Sequence, residues 1–393
     1  MPSQAPLYFR QKETEVQFAQ VIGQSDLKQR LIGAYRDGRI AHALMFLGPD
    51  GSGNLALALA FAQYIACPNK TATDSCGVCP TCRKIDTHQF ADLHYTFPFF
   101  NKSEGSEKTT CNDWLSPWRN HLKSSPYTTV DEWRNVITED NKQLIMSVYE
   151  AGNIINHLTL KSYEGGYKFQ IIWMAEYLKT DTANKLLKIV EEPPERTLFL
   201  FVAGSLENIL QTILSRVQVI YVPKIEDVDI ATALANQGCS ADKAGEIAHF
   251  AHGDWNKAMQ LLHAQNPDEN YASQFQQWMR MCYKKDVPGI IRWADEMHKL
   301  NREDQKHFLT YALDQIRQNL VLNYTGKEFV RLNQSEQSFS DKFAPFINDL
   351  NAVELMEEIT EAYHDVTRNA YTKLVLSDLS FKLHYLLTRK PEA

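Results

Sequence analysis

Hydrophobic residues in the first 223 positions form short continuous runs separated by segments with helical spacing. Nearly every position is apolar in the runs at 43–47, 167–174, 197–203 and 217–222, which predicts buried strands. Between them, apolar residues recur at intervals of three and four, which predicts helices, among them 55–65, 143–158 and 182–190. Buried strands that alternate with helices predict an α/β domain with a parallel sheet covered on both faces.

The hydrophobic pattern changes after Pro223, and from there to the C-terminus it predicts helices only. A polar stretch at 331–340 interrupts them and is predicted to be a loop. We therefore predict three domains, at 1–223, 224–265 and 266–393. Within the first, the aromatic and polar residues at about 98–140 indicate an insertion, with a poorly ordered segment near 103–110.

The first domain is organised around residues 46–57, where a predicted strand enters a glycine turn and a predicted helix leaves it. Gly48, Gly51 and Gly53 fit the shape of a phosphate-binding loop, G-x-x-x-x-G-K-[ST]. However, Asn54 stands at the lysine position and Leu55 at the Ser/Thr position. Asn54 cannot supply a positive charge, and Leu55 cannot ligate magnesium. The loop has kept its shape and lost the groups that act on a nucleotide.

Four of the seven cysteines lie within sixteen residues of one another, on a polar segment. Their spacing, C-x8-C-x2-C-x2-C, suits a tetrahedral structural zinc site, and Gly77 and Pro80 suit its tight turns. Free cysteines or a redox C-x-x-C pair are the alternatives. Four thiolates would close the coordination sphere, so the predicted role is to staple a loop. The predicted ligands are Cys67, Cys76, Cys79 and Cys82.

Charge and hydropathy exclude several broad classes. The formal net charge of −7 provides no overall positive field to attract nucleic acid. The sequence contains no run of about 18 apolar residues of the kind that would suggest a membrane span. The N-terminus lacks the pattern of a signal peptide, so we expect a cytoplasmic protein.

Several short motifs, in order along the chain, resemble those of the delta-prime subunits of the bacterial DNA polymerase III clamp loader, which belong to the AAA+ superfamily. The resemblance is specific over residues 21–262 and weaker beyond them. Apart from the cysteine spacing, the motifs are VIGQ at 21–24, IAHA at 40–43, EEPP at 191–194, LSRV at 214–217 and RNA at 368–370.

The resemblance also identifies which catalytic groups are missing. Trp173 and Met174 stand where the superfamily has an acidic pair, and Asn256 stands at the position of a sensor arginine. With Asn54 and Leu55 these are separate losses of nucleotide chemistry. We therefore expect no productive binding of ATP or magnesium and no intrinsic ATPase activity. Arg216 is retained, and the resemblance implies that it is an arginine finger acting in trans on a neighbour's nucleotide. The alternative is an arginine that only forms a surface salt bridge.

The resemblance implies a RecA-like domain, a helical lid at 224–265 and a helical collar at 266–393 that oligomerises. It implies a non-hydrolysing stator in a hetero-oligomer with gamma/tau and delta subunits, acting with the sliding clamp and primed DNA. Two other functions remain open from the sequence. One is an autonomous AAA+ ATPase that acts on DNA or protein, and the other is a zinc-dependent nucleic-acid-binding protein.

Overall fold

The computed structural model describes residues 16–100, 109–138, 144–263, 267–300, 302–326, 330, 332, 334–368 and 370–389. The predicted segment near 103–110 and Asn369 of the RNA motif lie wholly or partly outside these residues. The chain divides into two compact units, Met1–Leu262 and His263–Ala393. The division into three domains stays a prediction.

A five-stranded sheet forms the centre of the described part of the first unit. All neighbouring strands are parallel, and their order is β2-β3-β4-β1-β5. Every residue of the three central strands is buried, because helices cover both faces. The strands are β1 (Ala43–Leu47), β2 (Leu93–Thr96), β3 (Lys168–Trp173), β4 (Thr197–Ala203) and β5 (Gln218–Tyr221).

The helices of this unit follow the predicted alternation with the strands. They are α1 (Ser25–Arg36), α2 (Asn54–Ala66), α3 (Pro80–Asp86), α4 (Leu115–Leu122), α5 (Val130–Ile137), α6 (Val148–Thr159), α7 (Thr180–Glu191), α8 (Gln211–Leu214), α9 (Asp227–Asn236), α10 (Ala241–Ala251) and α11 (Trp255–His263).

Two details of the first unit differ from the sequence prediction. Strand β2 is not among the strands predicted from the sequence, although Leu93 and Tyr95 alternate with more polar positions. The helix predicted at 143–158 begins only at Val148. Before it, Ile145 pairs with Phe99 through two backbone hydrogen bonds, and this pairing favours extended structure.

The insertion at 98–140 is packed into the first unit through aromatic side chains. Trp118 stacks on Phe97 with ring centroids 4.5 Å apart, and Trp133 meets both rings edge-on. The indole of Trp133 donates a hydrogen bond to the carbonyl oxygen of Pro98 at 2.7 Å. Such large buried rings fix α4 and α5 against the sheet domain.

The described residues of the second unit form helices only. Its helices are α12 (Pro267–Lys284), α13 (Val287–His298), α14 (Arg302–Thr325), α15 (Gln334–Phe343), α16 (Ala352–Thr367) and α17 (Thr372–Thr388). The predicted fold class, an α/β domain with a parallel sheet followed by helices, is thus confirmed. The loop predicted at 331–340 is wrong, because α15 occupies most of it and Phe339 packs on Phe275 at 6.1 Å. Among the described residues, none of the helices has the length and apolar character needed to cross a membrane.

Candidate functional site

The glycine loop connects β1 to α2 and has the tight backbone that the sequence predicts. Gly51 and Gly53 have φ angles of +72° and +87°, a conformation that side chains with a Cβ rarely adopt. A Cβ at Gly48 would overlap the carbonyl oxygen of Val222, so the start of the loop packs against the backbone that follows β5. These glycines are required by the local fold, whatever the loop binds.

The side chain at the lysine position is used to hold the loop together. Asn54 Nδ2 donates to the carbonyl oxygen of Gly48 at 3.0 Å and to that of Ala203, at the end of β4, at 3.3 Å. Leu55 is only 1% exposed and packs in the core. Asn54 and Leu55, at the lysine and Ser/Thr positions, therefore both make contacts within the protein.

A tyrosine from the insertion closes one side of the loop. The ring of Tyr127 comes within 3.0 Å of the position that a Cβ of Gly53 would occupy. Its hydroxyl oxygen accepts a hydrogen bond from the Ile22 backbone N–H at 2.8 Å. Its carbonyl oxygen accepts one from Asn256 Nδ2 at 2.6 Å. Tyr127 therefore links the VIGQ segment, the glycine loop and α11.

A carboxylate closes the other side. Asp254 Oδ1 accepts hydrogen bonds from the backbone N–H groups of Asn256 (2.8 Å) and Lys257 (3.2 Å), and so caps the N-terminus of α11. A Cβ at Gly51 would overlap this same oxygen. The Trp255 N–H donates to the Gly51 carbonyl oxygen at 3.2 Å, which ties α11 directly to the loop.

The space beside the loop is negatively charged. Desolvation, followed by the charges of Asp254 and Glu176, raises the pKa of Asp50 to about 6. Burial also raises the pKa of the Asp254 and Glu176 carboxyl groups. Glu176 is held in place by the Gly204 N–H, which donates to its Oε1 at 2.9 Å. Lys224 and Lys257 lie close enough to Asp254 to lower its pKa, but neither stands at the lysine position of the loop.

The positions of the missing acidic pair lie in the aromatic core. Trp173 is 1% exposed, and its ring centroid is 4.9 Å from that of Trp118 in the insertion. Met174 is 5% exposed and has a φ of +57°. The insertion thus packs on the end of β3, where a magnesium ligand would have to be exposed.

The four predicted metal ligands converge on one point. The Sγ atoms of Cys67, Cys76, Cys79 and Cys82 all lie within 4.8 Å of one another, and the Cys67–Cys79 and Cys76–Cys82 distances are 4.0 and 3.9 Å. Zinc–sulfur bonds of about 2.3 Å in a tetrahedron give sulfur–sulfur distances of roughly 3.8 Å. The cluster therefore fits a tetrahedrally coordinated metal ion such as zinc.

The cysteine loop holds the start of the described chain. Asp74 accepts hydrogen bonds from the backbone N–H groups of Phe18 (3.1 Å) and Ala19 (2.8 Å). Gln17 Nε2 donates to the Ser75 carbonyl oxygen at 2.6 Å. The cysteine loop therefore fixes the segment that leads into the VIGQ motif.

Arg216 lies between α8 and β5, and its partners are not those of the glycine loop. Its Nε donates to Glu191 Oε2 at 2.9 Å, and its Nη1 donates to the Thr212 carbonyl oxygen at 2.9 Å and to Ser215 Oγ at 3.2 Å. The side chain is 30% exposed. Within the described part of the chain, none of the hydrogen bonds or ion pairs of Arg216 is to residues 48–54.

Residues 23–226 match the model of the family described as "DNA polymerase III, delta subunit". This match covers more than half of the chain. The chain belongs to this family.

Two of the curated relatives that the chain matches are polymerase III subunits. DNA polymerase III subunit tau/gamma of Haemophilus influenzae is 25% identical over 219 residues, which are 56% of this chain and 25% of that protein. DNA polymerase III subunit tau of Escherichia coli is 27% identical over 199 residues, 51% of this chain and 24% of that protein. The chain thus spans about a quarter of the length of these curated relatives. A solved gamma subunit-related protein of Thermotoga maritima has a TM-score of 0.40 and 12% identity, with 93% of this chain and 99% of that chain covered.

Asp254 and Tyr127, the two residues that close the glycine loop, were not predicted from the sequence. Asp254 follows Gly253 and precedes an apolar helical segment, so an N-cap could have been predicted there. Tyr127 carried no such signal, because its partners Ile22, Gly53 and Asn256 are distant in sequence.

The contact between Gly51 and Asp254 predicts a stability effect. We expect Gly51→Ala to destabilise the first unit by about 2–5 kcal/mol, since it adds overlap with Asp254 to an unfavourable φ angle. Asp254 cannot easily move, because it caps α11 and the Trp255 backbone nitrogen also lies 2.9 Å from the added carbon. Thermal unfolding followed by circular dichroism measures the change.

Gly165→Ala is the matched control. Gly165 has a φ of +78°, and a Cβ there has open space. Gly165→Ala should lower the free energy of unfolding by only about 1–2 kcal/mol, the cost of the left-handed conformation. Equal losses for the two variants would contradict the close approach of Asp254 to the loop.

Proposed function

We propose that this chain is a delta-prime-type, non-hydrolysing stator subunit of a DNA polymerase III clamp loader. The observation that carries the proposal is the closure of the glycine loop by Tyr127 and Asp254 of the same chain. A domain with a nucleotide-binding shape, filled by its own side chains, serves as a structural part of an assembly. The cytoplasm, where bacterial chromosomes are replicated, is the proposed location.

Charge supports the absence of ATP hydrolysis. Phosphoryl transfer needs positive charge on the phosphate oxygens, and here Asp50, Glu176 and Asp254 surround the loop. Asn54 is bonded to the loop backbone and does not replace the lysine. Neither ATP nor magnesium is expected to bind productively.

In this proposal Arg216 serves the nucleotide of a neighbouring subunit. A guanidinium is always charged and can donate two parallel hydrogen bonds to phosphate oxygens. The partial exposure of Arg216, and its separation from the loop of its own subunit, support a role in trans.

The proposed metal is one zinc ion held by Cys67, Cys76, Cys79 and Cys82. Four thiolates leave no open position for substrate, so zinc would add stability to the loop and no catalytic chemistry. Through Asp74 and Gln17 that stability would extend to the N-terminal segment.

The proposed partners are gamma/tau and delta subunits, and through them the sliding clamp and primed DNA. An apolar stripe on α17 supports assembly through the second unit, the proposed collar. Leu374, Phe381 and Tyr385 are 68%, 37% and 67% exposed, and their spacing of seven and four residues places them on one face of the helix. Exposed apolar stripes of this kind mark surfaces that bury against another protein.

Assembly tests the proposal directly. We expect the chain to co-elute with the gamma/tau and delta subunits of its own organism in size-exclusion chromatography. Leu374→Glu should weaken this association by about 10-fold or more, because it places a charge in the proposed apolar contact. Titration of the subunits by analytical ultracentrifugation measures the loss.

Leu160→Glu is the control, since Leu160 is 65% exposed but belongs to the first unit. It should assemble like the unchanged protein. Failure of the chain to associate with either partner subunit would overturn the proposal. So would tight, magnesium-dependent binding of labelled ATP to the isolated chain, which would favour the autonomous ATPase.

A further inference from the structure

The guanidinium of Arg216 is held through two of its three nitrogen atoms. Its Nε and Nη1 make the three hydrogen bonds to Glu191, Thr212 and Ser215, whereas Nη2 makes none within the described part of the chain. These partners lie at the C-terminal end of α7, in α8 and directly after it. The two N–H bonds of Nη2 therefore remain available for another acceptor.

Of the three partners, Glu191 is the one that supplies a charge and reaches across from another helix. It is the last residue of α7 and the first glutamate of the EEPP motif, and its carboxylate is 57% exposed. The other two acceptors, the Thr212 carbonyl oxygen and Ser215 Oγ, lie within four residues of Arg216 and would move with it. Glu191 therefore fixes the arginine relative to the sheet domain.

Stability alone gives little reason for this ion pair. Pairs between exposed charged side chains contribute about 0–1 kcal/mol, because water screens the attraction and ordering the side chains costs entropy. The ion pair can instead serve to orient Arg216, since an arginine side chain carries about 2 kcal/mol of rotamer entropy. Ordering it before a partner arrives removes that cost from the reacting complex.

We propose that Glu191 is the positioning residue of the arginine finger: it accepts the Nε–H hydrogen bond and so orients the guanidinium, leaving Nη2 for the phosphate oxygens of a nucleotide bound by a neighbouring subunit. This inference rests on the proposed role of Arg216 in trans. It assigns to the EEPP motif a function on the neighbour's reaction, although Glu191 itself touches no nucleotide.

The experiment measures ATP turnover at saturating ATP by the assembled complex, with DNA and clamp present. Glu191→Ala should slow the site that Arg216 serves by about 10- to 10²-fold, the cost expected when a catalytic group is misplaced by about 1 Å. Glu191→Gln should restore most of the rate, because its amide oxygen can still accept the Nε–H hydrogen bond. Assembly should be unchanged in both variants, since each alters one side chain whose ion pair contributes only about 0–1 kcal/mol.

Glu192→Ala is the matched control. Glu192 carries the same charge one residue further on, is exposed, and makes no side-chain hydrogen bond or ion pair within the described residues. Its loss changes net charge by the same amount and should leave turnover unaltered.

A double-mutant cycle separates this inference from the proposal beneath it. If Glu191 acts only through Arg216, adding Glu191→Ala to Arg216→Ala should produce no further loss. Normal turnover in Glu191→Ala, or losses that multiply in the double variant, would overturn the positioning role while Arg216 could still be the finger. Normal turnover in Arg216→Ala would instead overturn the finger itself.

Discussion

Arg216→Ala is expected to slow ATP hydrolysis at one neighbouring site by on the order of 10³-fold, the lower end of what trans-acting arginines contribute in other systems. The variant removes the charge that would stabilise the transferring phosphoryl group. It should leave assembly intact, because Arg216 is one partly exposed side chain whose ion pair with Glu191 is of a kind that contributes only about 0–1 kcal/mol. Single-turnover hydrolysis by the assembled complex should lose the fast phase that belongs to this site.

Arg134→Ala provides the comparison. Arg134 is also ion-paired on the surface, to Asp131 at 2.7 Å, and its side chain is 26% exposed. Its removal should leave the fast phase intact. If the Arg216→Ala complex assembles and keeps its full fast phase, Arg216 is only a salt-bridge arginine.

Cys82→Ser is expected to abolish zinc binding and to lower the melting temperature of the first unit by about 10 °C or more. Structural zinc sites contribute several kcal/mol to folding, and about 3 kcal/mol corresponds to that shift in a domain of this size. Cys82 is fully buried among the other three ligands, so a water molecule cannot take the place of the missing thiolate. Metal analysis of the purified chain should fall from about one zinc per chain to none.

Cys239→Ser separates this effect from the loss of any cysteine. Cys239 is partly exposed and lies outside the cluster. Its substitution should leave both the zinc content and the melting temperature unchanged. One zinc retained in Cys82→Ser would show that the ligand set is wrong.

Features fixed by neighbouring residues were predicted correctly from the sequence. The strands β1, β3 and β4 are continuous apolar runs, and the convergence of four cysteines follows from their spacing. The shape of the glycine loop follows from Gly51 and Gly53.

Features decided by contacts between distant residues were not predicted. The helix α15 is polar in sequence and exists because Phe339 and Phe343 pack on Phe275. The occupants of the glycine loop, Tyr127 and Asp254, come from an insertion and from a helix far along the chain. No local pattern around residues 46–57 identifies them.

In the proposed function, the closure of the glycine loop also makes an ATP-hydrolysing site hard to regain. Asn54→Lys would remove the amide that bonds Gly48 and Ala203, and the new ammonium group would enter a loop still occupied by Asp254 and Tyr127. Recovery of an ATP site would need coordinated changes in the loop, the insertion, α11 and the end of β3. Under the proposed function, single substitutions along that route are expected to cost stability before any activity returns.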